Sequence, residues 1–172
     1  MYPQIRPAQL SDIEVITDIY NEAVLNSTAS YDEHPQTSQQ RRNWFEQHQE
    51  QGLSTLIAEI APDHIVGWAA LSFFRPWEGY RYTVEDSIYI SQAYQGKGIG
   101  TQLLGELLEQ AKGMKMHVVM AGLDAQNPAS LRLHQKLGFR QVGYLPEVGF
   151  KFNRWLDLVL MQRILSPELG DG

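Results

Sequence analysis

No cysteine occurs among the 172 residues. That absence excludes disulfides, a thiolate nucleophile and a zinc–thiolate centre, and nothing in the chain demands an oxidising compartment. Histidine is sparse, at five residues. His34, His48, His64 and His117 show no metal-ligand spacing and read as structural or surface residues, so no metal is expected. The Gly-x-Ser-x-Gly pattern of serine hydrolases is absent. Long apolar runs are missing: none reaches the roughly 18 residues of a membrane span. The opening MYPQIRPAQL lacks the basic and apolar regions of a signal peptide. A cytoplasmic protein with no membrane partner is the expectation. Positive charge is in deficit, with 14 Lys and Arg against 20 Asp and Glu and a net charge of −6. That argues against nucleic acid as a partner, which requires a basic face. A small phosphorylated ligand is not excluded, because local N–H groups hold it whatever the global charge.

What is present is an ordinary globular composition, 43% hydrophobic and 20% charged, enough to bury a core without staples. No repeat, low-complexity tract or linker divides the chain. One domain over residues 1–172 is expected, with an ordered core of about 3–165. Residues 3–7 read as a short strand. Ser11 to Glu14 form a capping box, with Leu10 and Val15 as its hydrophobic staple. A helix should follow to about Val24, with Ile13, Ile16, Tyr20 and Val24 on one face. Thr37 to Gln40 cap a second helix to about Gln49, and Gly52 suits its end. Leu53–Ile60 and Ile65–Phe74 read as a hairpin, and Thr83–Ile90 as the next strand. A third helix ends near Gly113, a strand covers His117–Leu123, and a fourth helix runs from Asn127 to Gly138. Phe139–Leu145 and Trp155–Met161 are the last strands. The order β-α-α-β-β-β-α-β-α-β-β predicts an α/β (α+β) fold: a mixed sheet of about seven strands, mostly antiparallel, with helices on both faces.

The most informative stretch is Gln95-Gly96-Lys97-Gly98-Ile99-Gly100, between the strand ending at Ile90 and a helical repeat through Leu103, Leu104, Leu107 and Leu108. Glycines let the backbone reach positive φ and approach a ligand closely. The first N–H groups of the following helix have no internal partners and sit at the positive end of its dipole, which is a phosphate site. The spacing is neither a P-loop nor a dinucleotide fingerprint. A second signal follows directly: Asn127-Pro128-Ala129-Ser130 opens the next helix and Lys136-Leu137-Gly138-Phe139 closes it.

With these residues the chain resembles the GNAT superfamily of acyl-CoA-dependent N-acyltransferases. Gln95, Gly98 and Gly100 meet its Gln/Arg-x-x-Gly-x-Gly/Ala pattern, Asn127 its helix-opening asparagine, and Gly138-Phe139 its closing pair. Phe74-Arg75, Tyr80 through Glu85, Leu145 through Phe152 and Arg154 through Asp157 resemble a narrower group. That group contains the phosphinothricin and methionine sulfoximine acetyltransferases. The resemblance implies a GNAT fold and a transfer of acetyl from acetyl-CoA to the amino group of a small amino acid. It also implies a homodimer whose second subunit helps close the substrate site.

It further implies where the parts lie. The pyrophosphate would rest on the amides of Gly96, Lys97, Gly98, Ile99, Gly100 and Thr101. The pantetheine arm would pair with Ile88-Tyr89-Ile90, and the amide of Ile88 or Ile90 would face the developing oxyanion. Asn127 would hydrogen-bond the arm, with Ser130 and His134 one turn apart beside it. His134 stands where many relatives carry a tyrosine that protonates the leaving thiolate. A free amine is needed for attack, so a base must take a proton. Glu85 suits that role, sharing a strand face with Ser87 and Tyr89, where partial burial raises its pKa. Arg75 and Arg81 are the local cations for a substrate carboxylate. Tyr31, Phe74, Tyr82, Thr83 and Phe150 would wall the acceptor pocket. A polyamine, an aminoglycoside or a protein N-terminus remain alternative acceptors, and a non-catalytic acyl-CoA sensor is an alternative use of the same fold.

Overall fold

The computed structural model describes residues 2–165, and their elements follow the expected order. They are β1 (Gln4–Pro7), α1 (Ile13–Asn26), α2 (Ser38–Glu50), β2 (Thr55–Ala61), β3 (His64–Phe73) and β4 (Thr83–Ile90). Then come α3 (Ile99–Gly113), β5 (Val118–Asp124), α4 (Pro128–Lys136), β6 (Arg140–Lys151) and β7 (Arg154–Ile164). The strands form one sheet in the order β1-β2-β3-β4-β5-β7-β6. Only β4 and β5 are parallel; every other pairing is antiparallel.

Two cores lie on the two faces of this sheet. On one, α3 buries Ile99, Leu103, Leu104, Leu107 and Leu108 against Val84, Val119, Ala121 and Val159. Each buried leucine there contributes about 1.5–3 kcal/mol of transfer free energy. On the other, Ile13, Ile16, Tyr20 and Val24 of α1 and Phe45 of α2 pack on Ile57, Trp68 and Ala70. Thr37 caps α2 through its exchange with Gln40, and Gly52 turns the chain with φ +69°.

Three local expectations are corrected. The Ser11 cap does not form. Arg6 of β1 takes the Asp12 carboxylate at 2.8 Å, and that carboxylate accepts the Gln9 N–H. The first turn therefore tightens into a 3-10 segment, α1 opens at Ile13, and Leu10 stays exposed. The sixth strand does not stop at Leu145. It runs on to Lys151 past Pro146 by advancing four positions, from Leu145 to Gly149, while β7 advances two, from Leu158 to Leu156. Proline is tolerated there because β6 is an edge strand and the position is bulged. The Asp157 carboxylate holds the bulge by accepting the Glu147 N–H and the Tyr144 hydroxyl.

Candidate active site

The strand pair at the centre of the sheet opens into a cleft. β4 and β5 pair only from Thr83/Val118 to Glu85/Met120, then separate. Which groups face the gap follows from the antiparallel ladder on the other side of β4. Ser91 donates to the Val66 carbonyl and Phe74 donates to the Thr83 carbonyl. The register between β3 and β4 is unbroken, so the odd residues of β4 bond β3 and the even residues turn their amides toward β5. The Asp86 amide closes the last parallel pair, and the amides of Ile88 and Ile90 look into the gap. The backbone of Tyr89 bonds β3, and Tyr89 adds its ring instead, tilted against Trp68 and edge-on to Tyr20.

The glycine turn closes one end of the gap. Gln95 folds back so that its side-chain amide donates to the Ile90 carbonyl at 3.1 Å. Gly96 and Gly98 adopt φ of +73° and +82°, and nothing lies within 4 Å of where a Cβ would stand on either. The amides of Ile99, Gly100 and Thr101, in the first turn of α3, have no intrahelical carbonyl to meet. Gly100 serves packing: a Cβ there would stand 3.1 Å from Leu133 of α4. Lys97 does not reach over the turn; its ammonium donates to the Ala93 carbonyl and lies over the Tyr94 ring. The cleft holds about 580 Å³, and its walls include Ile88, Ile90, Gly96, Gly98, Thr101, Asn127 and Ser130. Asn127 caps α4 by accepting the Ser130 N–H with Oδ1, which leaves its Nδ2 to donate into the cleft. Arg132 and Lys136 of α4 add the cations of this wall.

His134 lines the same wall but is 2% exposed. Its Nδ1 donates to the Ser130 carbonyl at 2.8 Å, and its Nε2 meets the buried Asp86 carboxylate at 3.2 Å. Burial opposes charge on the ring, but the hydrogen bond and charge of Asp86 outweigh it and hold its pKa above the ordinary value. Both ring nitrogens are thus engaged within the protein, and the pair ties α4 to β4 beneath the gap.

The opposite face of β4 carries Glu85. Burial pushes its pKa up, the neighbouring Asp86 charge adds to that, and Arg75 pulls it back down. Gly122 of β5 makes the room, because a Cβ there would stand 3.1 Å from Glu85 Oε1. Of the two candidate arginines, Arg75 lies in the field of Glu85. Arg81 instead donates to the Glu78 carbonyl of its own loop and covers Tyr82. Phe74 packs edge-on with Tyr80, Tyr82 is exposed, and Thr83 opens β4 on the Glu85 face. Tyr31 lies on Gly149, within 2.5 Å of where a Cβ would be. Phe150 does not join Tyr31 within one chain. Gly149 and Lys151 turn toward residues 27–31, so Phe150 points to the other face of β6, edge-on to Trp155 and 45% exposed.

Four residues around the gap carry no motif. Asp124, at the end of β5, accepts from the Thr28 hydroxyl and from the Gln126 N–H. Buried Lys151 donates to the Ser27 and Ser30 carbonyls at 2.8 and 2.7 Å, which pins the segment after α1 across the sheet. Asp86 and Gly122 complete the set. Period-two alternation along β5 would place Gly122 beside Asp124, but only the register with β4 puts both on the side of Glu85.

Among the described residues no group of three or more acidic or histidine side chains could hold a metal ion, and no helix is long and apolar enough to cross a membrane. Comparison with known proteins then places the chain. The model of the acetyltransferase (GNAT) family matches residues 16–139. An L-methionine sulfoximine/L-methionine sulfone acetyltransferase of Pseudomonas aeruginosa is 43% identical over 167 residues, 97% of either chain. A phosphinothricin N-acetyltransferase of Alcaligenes faecalis is 39% identical, over 94% of this chain and 82% of its own. The solved structure of a Salmonella typhimurium acetyltransferase with its cofactor acetyl-CoA superposes with a TM-score of 0.94. It has 40% sequence identity and the match covers 99% and 98% of the two chains.

Proposed function

The chain belongs to the GNAT family of acetyl-CoA-dependent acetyltransferases, and from that premise we propose that it acetylates the α-amino group of a small L-amino acid. The acceptor is of the methionine sulfoximine, methionine sulfone or phosphinothricin kind, in keeping with the relatives that bear those names. One observation carries the reading: a half-buried carboxylate with a raised pKa, Glu85, stands where β4 and β5 part, in space left by Gly122 and within the field of Arg75.

The cleft fits acetyl-CoA on its own geometry. Two left-handed glycines and the free amides opening α3 suit a pyrophosphate. The even amides of β4 suit an extended amide-bearing arm, and Asn127 Nδ2 suits one of its carbonyls. When bound, the co-substrate supplies an activated acetyl thioester. Glu85 takes a proton from the acceptor nitrogen, directly or through a water, and frees its lone pair. The Ile88 or Ile90 amide donates toward the thioester oxygen as negative charge develops there. Arg75 receives the acceptor carboxylate, with Tyr31, Phe74, Tyr82 and Thr83 around the side chain. His134, a buried imidazole beside the gap whose pKa the Asp86 carboxylate raises, stands as the group nearest to a proton donor for the departing thiolate, although its two ring nitrogens are already engaged by Ser130 and Asp86. With no cysteine in the chain, attack is direct and no acyl-cysteine forms.

The outer strands expose Val142, Tyr144, Val148, Phe150 and Trp155. This apolar edge suits a second copy of the chain, and a homodimer in light scattering is the expected result.

The experiment is free-thiol release from acetyl-CoA with a panel of acceptors: methionine sulfoximine, methionine sulfone, phosphinothricin, common L-amino acids, spermidine, an aminoglycoside and a peptide. Turnover confined to the amino-acid set supports the proposal. Turnover confined to the polycations or the peptide keeps the chemistry and overturns the acceptor. Acetyl-CoA binding without turnover on any amine favours a sensor.

A further inference from the structure

The acceptor side of the cleft holds a second carboxylate whose surroundings are those of an ion-pair partner with its cation missing. Asp124 is 5% exposed and lines the cleft. Its hydrogen bonds come from neutral donors, the Thr28 hydroxyl and the Gln126 N–H. Among the described residues no lysine, arginine or histidine forms an ion pair with it. A buried carboxylate is ordinarily paired, because losing water without gaining a cation is costly.

Its position says what the cation is. Gly122 and Asp124 lie on one face of β5, two residues and about 6.7 Å apart along the strand. Glu85 Oε1 projects over Gly122. Between the two carboxylates β5 therefore offers only a glycine, with no side chain to fill the space. A second group is also unfinished there. The Tyr31 hydroxyl is buried without a partner, and its ionisation is opposed by burial and by the nearby charges of Asp124 and Asp157.

Resting on the acetyl-transfer reading, we propose that Asp124 is the ammonium anchor of the acceptor. It holds the positively charged nitrogen in the opening between β4 and β5 until Glu85 removes one of its protons. The two carboxylates then divide the work. Asp124, with two neutral donors already on it, supplies charge for binding. Glu85, raised by burial, supplies basicity. The N–H bond breaks as the O–H bond on Glu85 forms, and the neutral amine left behind no longer pairs strongly with Asp124 and is released toward the thioester. Selection follows: an acceptor must bring a protonatable amine, and an otherwise identical hydroxy acid gains nothing from Asp124.

The test separates this role from a structural one, because Asp124 also closes the turn that leads into α4. Asp124→Asn keeps Oδ1 to accept the Gln126 N–H and turns its NH2 toward the Thr28 hydroxyl, which then accepts instead of donating, so the charge is removed with both contacts still satisfied. The acceptor KM should rise about tenfold or more, as expected when a charge-assisted contact is lost from a buried site, while the KM for acetyl-CoA stays unchanged. The hydroxy-acid analogue of the acceptor, used as a competitive inhibitor, should bind both proteins alike. Thr28→Val, which leaves the charge and removes one hydrogen bond, should keep the acceptor KM within about twofold. Asp124→Glu, should the amide variant not fold, should retain most of the difference in affinity between amine and hydroxy acid. An unchanged acceptor KM in Asp124→Asn overturns the inference, as does an equal rise for amine and hydroxy acid or a matching rise in Thr28→Val. Failure of the wild type on every amino acid would instead overturn the function on which it rests.

Discussion

The two faces of β4 do different work by different means. On the α3 and α4 side, the proposed ligand contacts come from the backbone: two left-handed glycines, the first amides of a helix and the even amides of a strand that has lost its neighbour. On the α1 and α2 side they come from side chains, Glu85, Asp124, Tyr31 and Arg75, each delivered by a different element. A backbone device must be written in consecutive residues, because glycine is needed at the position that turns. A side-chain constellation needs no local signature, since the fold gathers it from distant segments. The first kind of site is tolerant in composition and intolerant in conformation; the second is the reverse.

That contrast can be broken from either side, and the largest effect should come from the side-chain face. Glu85→Gln preserves shape and removes the proposed base, so kcat/KM should fall about 10²–10⁴-fold while acetyl-CoA affinity, measured by calorimetry, stays unchanged. In the wild type the base is inactive while protonated. Activity should therefore rise with pH through an acid limb that lies above the ordinary glutamate value of 4.5. Arg75→Gln, which removes the charge opposing that shift, should move the limb higher still. An acid limb at or below the ordinary value would count against Glu85.

On the backbone face, Gly98→Val forces a β-branched residue to φ +82° and places methyl groups in the open cradle. Acetyl-CoA binding should weaken about 100-fold or more, equivalent to ~2.7 kcal/mol. Retained affinity would remove the phosphate role of this turn.

A smaller effect probes the seam between the faces. Gly122→Ala sets a methyl 3.1 Å from Glu85 Oε1, so the carboxylate must shift by a few tenths of an ångström. The turnover rate should drop about tenfold with acetyl-CoA binding intact, in line with the sensitivity of catalysis to small displacements. Full activity would show that the Glu85 position is not critical.

The smallest effect concerns the His134–Asp86 pair. Its histidine is held above the ordinary 6.5, so the folded state binds that proton more tightly than the unfolded chain. The stabilisation is fully present below the ordinary value and is lost as pH rises through the elevated one. Relative to His134→Asn, the wild type should have its largest thermal advantage near pH 6 and lose it toward alkaline pH. Each kcal/mol lost appears as about 2–4 °C in a chain of this size. A difference that does not vary with pH would mean that the pair is not charged.

How much was legible follows the same line. β4 is found where its β-prone run stands, Thr83–Ile90, because alternation and the glycine turn both bound it. The faces of α1 and α3 follow from helical spacing. β6 ran past its apparent end because Pro146 and Glu147 look like a terminator locally, whereas the Asp157 carboxylate, ten residues on from Glu147, makes the bulge possible. Phe150 looked like a pocket residue by its neighbours in sequence, and the alternation of β6 turns it away from Tyr31.

The sequence by itself determined the order of elements, the amphipathic faces of the helices, the glycine turn and the helix-opening asparagine. All of these are set by neighbouring residues through φ preferences, periodicity and unpaired helix amides. Only the tertiary structure decided that β4 and β5 part after Glu85, that Gly122 leaves space for its carboxylate, that Asp86 claims His134, and that Asp124 is buried without a cation. Those facts depend on strand register and on contacts between residues far apart in the chain, whose energies no local pattern encodes.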